Sequence, residues 1–153
     1  MTQSEMNIMV EELLMKPCYV IDFLPQRVTE YDNIQFFNAV EQYYLCGDKV
    51  KQIANSFIHI ILKSLCYFEF SVYKDGLIEN PSCQDLEKMM KAVYTSQDDC
   101  VSILLPKEKS LIQMCSGDLN LSVYNPNEKV THILGVLAQA EGMFWWQGNN
   151  LCQ

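Results

Sequence analysis

Residues 100–124 read CVSILLPKEKSLIQMCSGDLNLSVY. Three runs rich in β-branched and large apolar residues, 100–105, 109–115 and 118–124, are broken by the loop at 106–109 and by Ser116-Gly117. Runs of this length, bounded by turn-forming residues, predict three consecutive strands joined by short turns.

The elements on either side echo one another. Downstream, Ser122-Val123-Tyr124 leads into Asn125-Pro126, an amphipathic helix over 128–140 and a strand at 143–146. Upstream, Ser71-Val72-Tyr73 is followed by Asn80-Pro81, an amphipathic helix near 83–93 and the strand at 100–105. Two related β-α-β units are one reading of this echo, the first carrying an extra turn; coincidence between common elements is the other. Asn125 is a candidate cap for the last helix, with Pro126 in its first position and Glu128 three residues on, and Ser82 with Asp85 offers the same arrangement upstream.

In the N-terminal half, Met6, Met9, Val10 and Leu13 form one stripe of a helix over 4–15, which Lys16-Pro17 ends. It reads as a docking helix or an arm. Residues 18–24 are dense in β-formers and stop at Pro25, predicting a central strand with Asp22 near its end. Ile34, Phe37, Val40 and Tyr44 favour a helix over 33–46, although Phe37, Ala39, Glu41 and Tyr43 also fit a strand. The clearest helix is 49–65, with Asp48 as its N-cap and an apolar face built on Val50, Ile53, Phe57, Ile61 and Leu65. Residues 66–74 alternate aromatic and polar side chains as a strand does, and Asp75-Gly76 turns the chain. The expected fold is therefore α+β: a two-layer sandwich with a mixed sheet of about six strands and three or four helices mainly on one face. Residues 1–17 form an N-terminal helix or arm, and 18–153 form one domain.

Composition agrees with a single packed domain. The chain has 153 residues, is 49% hydrophobic and 20% charged, and contains 6 Gly and 5 Pro. Its net charge of −8 disfavours a nucleic-acid or anionic-membrane partner. Residues 1–48 hold eight carboxylates against Lys16 and Arg27, so most of the excess lies there. The opening segment lacks the basic and apolar regions of a signal or transit peptide. Seven well-spaced cysteines without a CxxC pair suggest reduced thiols, several of them small buried hydrophobes, in a cytoplasmic protein.

Groups able to carry out chemistry are few. His59 lies between isoleucines in the long helix and reads as a half-buried histidine bonded to backbone or glutamate; His132 reads as a surface residue. Neither has a Cys, Asp or Glu three or four residues on, so no metal site and no cofactor are expected. Cys83 is the best-placed thiol for a lowered pKa, being just inside a helix start, but an inert thiol is the commoner outcome. No phosphate-cradling glycine loop, dinucleotide fingerprint or nucleophile elbow is present.

The composition of the N-terminal third suggests a binding role instead. Rings and carboxylates interleave there, giving Asp22, Glu30, Tyr31, Asp32, Phe36, Glu41, Tyr43 and Asp48 as candidate partner-binding residues. Aromatic anchors among carboxylates suit a basic protein partner. The expected function is thus a small acidic, non-enzymatic interaction protein, of which a bacterial immunity-type antagonist of a cationic toxin is one instance. The alternative is a ligand-binding or regulatory α+β module that homodimerises.

Overall fold

A computed structural model describes residues 1–29, 34–96 and 99–148, without the side chains of 34 and 35. In chain order the elements are α1 (Gln3–Leu14), β1 (Cys18–Asp22), α2 (Ile34–Leu45), α3 (Asp48–Ser64), β2 (Ser71–Tyr73), β3 (Leu77–Ile78), α4 (Cys83–Thr95), β4 (Cys100–Leu105), β5 (Ser110–Cys115), β6 (Asn120–Tyr124), α5 (Glu128–Ala140) and β7 (Phe144–Gln147). The strands form one sheet in the order β3-β2-β4-β5-β6-β1-β7.

Residues 100–124 form the middle of this sheet. β4 and β5 pair from Cys100↔Cys115 to Leu105↔Ser110, and β6 joins β5 through Ile112↔Val123. Every neighbouring pair is antiparallel, so the mixed sheet expected is antiparallel throughout, with seven strands in place of about six. The additional strand, β3, is only two residues long and pairs with β2 after the Asp75-Gly76 turn.

One face of the sheet is covered by α3, α4 and α5. Phe57 and Ile61 of α3, Met90 of α4 and Leu134 of α5 join Ile103, Ile112 and Leu121 in the main core. The opposite face is partly covered by α1, whose Leu13, Met6, Met9 and Val10 pack with Leu104, Leu111 and Tyr124. Cover on both sides explains why Val101–Leu105 is buried without alternation. Of the two readings of the first element, the docked helix is the one observed. Its start is fixed by a capping box in which Thr2 and Glu5 satisfy each other's backbone amides.

The echoed segments occupy different topologies. β2 and β4 are antiparallel neighbours, whereas β6 and β7 lie on either side of β1 and so run parallel to each other. The echo therefore does not correspond to two equivalent β-α-β units. β1 is interior but sits one strand from the edge. The strand expected over 66–74 contracts to Ser71–Tyr73, because the chain leaves α3 in a turn that buries the Phe68 ring in the core.

Two caps also differ. Gly47, with φ of 63°, precedes α3, so Asp48 falls in the first turn and forms no side-chain cap. Asn127, not Asn125, caps α5 by accepting from the Val130 amide at 2.9 Å. Asn125 sits at positive φ and donates its side-chain amide to the Lys109 carbonyl at 2.8 Å, tying the end of β6 to the β4–β5 turn. The Ser82 cap is as expected, accepting from the Asp85 amide at 3.1 Å.

The cysteines depart furthest from expectation. Cys100 and Cys115, directly opposite across β4 and β5 with Cα atoms 4.1 Å apart, form a disulfide. Cys18 is also disulfide-bonded, and the free thiols of Cys46, Cys66 and Cys83 are exposed. Of the six described cysteines, three are therefore reduced thiols as expected, though exposed, and three are in disulfides where reduced thiols were expected. Strand register placed two residues fifteen apart in sequence side by side, which cysteine spacing alone does not reveal.

The Tyr94 hydroxyl is buried without a hydrogen-bond partner, and burial pushes its pKa well above the ordinary tyrosine value, with Asp118 adding to the effect. Since a buried, unsatisfied hydroxyl costs about 1–3 kcal/mol, Tyr94→Phe should stabilise the fold by about 1 kcal/mol. Denaturant melts of the two proteins measure this; a loss of stability in the variant would show that the hydroxyl is satisfied in solution.

Candidate partner-binding surface

The helix α2 carries the centre of the candidate surface. Its spacing turns Phe37, Glu41, Tyr44 and Leu45 toward partial burial, with Tyr44 and Leu45 packed on the core. Phe36, Val40 and Tyr43, spaced four and three residues apart, form an outward stripe at 69%, 42% and 58% exposure. Isolated exposed apolar residues are ordinary; three on one helical stripe are a patch.

Rings connect this stripe to the end of β1. Tyr43 meets Tyr44 edge-on with centroids 5.3 Å apart, and Tyr44 meets Phe23 at the same separation. The Lys49 ammonium lies 4.2 Å from the Tyr43 ring centroid. A cation–π contact at such an exposed position is worth only about 0.5–1 kcal/mol, so it positions the ring without closing it to a partner.

Asp22, beside Phe23, is the most perturbed carboxylate in this region. Burial raises its pKa to about 6; the Leu24 and Phe23 amides oppose the shift, and the nearby charge of Glu41 adds to it. The Leu24 N–H donates to Asp22 Oδ1 at 3.3 Å. By pleat alternation Asp22 shares the side of β1 that carries Cys18 and Val20, so it couples to α2 through its field. The unfolded carboxyl titrates near 3.8 and the folded one near 6, so between these values the folded chain holds the extra proton. Stability from this group is full at low pH and declines as pH rises toward 6 and beyond. Asp22→Asn should remove that decline and stabilise the protein at neutral pH, as read from denaturant midpoints measured across the range. An unchanged pH profile would contradict the assignment.

The structure does not bring every candidate together. Asp48 is exposed and paired with Lys51 at 3.3 Å, one turn along its own helix and away from the α2 stripe's own residues. Glu30, Tyr31 and Asp32 lie outside the described residues. Sequence spacing groups Val40 with Phe37 and Tyr44, whereas the helix turns Val40 outward with Phe36 and Tyr43 and leaves Phe37 and Tyr44 half-buried. Phe23, the ring linking strand to helix, carries no sequence pattern that marks it.

Lys63, Lys74, Lys91, Lys107 and Lys129 pair respectively with Glu141, Asp99, Glu87, Glu69 and Glu108. Among the described residues, Glu11, Glu12, Asp22 and Glu41 have no such pairing, and neither do Asp75, Glu79, Asp85, Asp118 and Glu128 elsewhere in the chain.

The other reactive candidates have ordinary surroundings. His59 is more exposed than expected, with Nδ1 3.6 Å from Glu141 Oε2, and His132 is on the surface. Cys83 is an exposed free thiol at the first position of α4. Among the described residues no group of three His, Cys, Asp or Glu side chains is placed to hold a metal, and no helix is long and apolar enough to cross a membrane.

Together these features define an α+β protein with a seven-stranded antiparallel sheet and an aromatic, carboxylate-bearing helix on its surface. No protein-family model matches the chain, and comparisons with curated proteins and with solved structures find no match either.

Proposed function

We propose that this is a non-enzymatic binding protein that takes a basic protein partner on the outward face of α2. The observation that carries the reading is the stripe of Phe36, Val40 and Tyr43, exposed on a helix of a chain with net charge −8. Rings of this kind, once desolvated, supply hot-spot contacts, while unpaired carboxylates steer a cationic partner and raise its rate of encounter. An antagonist that occludes a cationic toxin, as immunity proteins do, is one form of this function. The cytoplasmic setting read from reduced thiols loses that support, because disulfides persist mainly in oxidising compartments.

Affinity capture on the full chain tests the proposal. A basic protein should be retained at low ionic strength, lost at high ionic strength, and lost when Phe36 and Tyr43 are both changed to glutamate. Retention that ignores both salt and the double variant would overturn it.

One observation favours the homodimer alternative. β7 is an edge strand whose Phe144, Trp145, Trp146 and Gln147 include no charge and no proline, the usual guards against edge pairing. Light scattering separates the readings: a mass that doubles with concentration and reverts in Trp146→Lys supports edge pairing, and a constant mass removes it.

A further inference from the structure

A second site, separate from the α2 surface, lies between α3 and α4. A cavity of about 260 Å³ opens there, walled by Val50 and Ala54 of α3 and by the ring of Tyr94 of α4. Polar side chains line it as well, in pairs one turn apart: Lys51 and Asn55 on α3, Lys91 and Thr95 on α4. From these features we infer that this cavity binds a small apolar carboxylic acid, its hydrocarbon part against Ala54, Val50 and Tyr94 and its carboxylate between Lys51 and Lys91.

Three considerations lead to that ligand class. The volume falls just below the range of drug-sized pockets, which suits a small molecule and not a protein segment. The apolar walls favour a hydrocarbon body over a phosphorylated or sugar ligand, and a multiply charged phosphate would meet lysine point charges with no arginine fork. Two lysines at one mouth are also unusual in a chain with 11 basic and 19 acidic residues. Each has a partner on its own helix, Lys51 with Asp48 at 3.3 Å and Lys91 with Glu87 at 2.8 Å. Exposed pairs of this kind are weak and screened by solvent, so a ligand carboxylate docked on a dry surface competes with them. The same two acids disfavour a dianion, which narrows the class to monocarboxylates.

Titration calorimetry of the full chain with octanoate and with 1-octanol provides the test. Octanoate should bind about tenfold more tightly than the alcohol, the added contact being a charge-assisted one. In the double variant Lys51→Glu, Lys91→Glu, both on the surface, that preference should disappear while the alcohol still binds. Ala54→Phe should abolish binding of both by filling the cavity. If that variant does not fold, Thr95→Trp blocks the mouth from an exposed position and should have the same effect. Equal affinity for the two ligands in the parent chain, or no octanoate binding, would overturn the inference. So would binding that survives the blocking variant.

Discussion

Replacing Phe57 by alanine should lower the unfolding free energy by about 4 kcal/mol, the largest effect expected of any single substitution discussed. Phe57 is fully buried at the middle of α3, the helix that packs on α2, α4 and α5 and lies over the sheet. Truncation removes the apolar surface that the ring keeps from water and leaves a hole that α3, held on several sides, cannot close by moving. Against a total stability of about 5–15 kcal/mol for a domain of this kind, such a loss takes the protein close to unfolding at room temperature. Phe36→Ala is the comparison: the same substitution on the adjacent helix, at a ring that is 69% exposed, should cost much less, since little apolar surface is returned to water. Urea melts of the two variants side by side measure the contrast. If both cost the same, the division of rings between core and exposed face is wrong.

That division shows what the sequence contained and what it left out. Helical spacing identified α3, α4 and α5 nearly to the residue, because each buries one broad stripe against a sheet and the stripe is a local pattern. The strands β4, β5 and β6 were legible as short apolar runs bounded by turn-forming residues, which is also a local pattern. Strand partners were not legible, since pairing joins residues distant in sequence. The insertion of β1 between β6 and β7 is the clearest case, and it undoes the similarity suggested by the repeated Ser-Val-Tyr and Asn-Pro. β3, at two residues, was too short for any periodicity to mark. In the candidate surface, the outward positions of Phe36 and Tyr43 follow from helical geometry once α2 is a helix. The pairing of Asp48 with Lys51 depends on where α3 begins, and a glycine at positive φ set that boundary in place of the expected acidic cap.

Register is also what makes the second large effect possible. Changing Cys100 and Cys115 together to serine should cost about 3 kcal/mol, the loop-closure entropy that a link across 15 residues removes from the unfolded chain. The native strands should be nearly unaffected, because β4 and β5 remain paired along their whole length and β4 is held on its other side by β2. The loss therefore belongs to the unfolded state, and it should appear as a lower denaturant midpoint with an unchanged far-ultraviolet circular dichroism spectrum. A reducing agent should destabilise the parent chain by at least as much, since the bond at Cys18 is opened as well. Applied to the double variant, the same agent reports the Cys18 bond alone. Should the parent and the double variant melt together under non-oxidising and oxidising conditions alike, the two cysteines are not joined in solution, and the argument drawn from them about compartment falls with the bond.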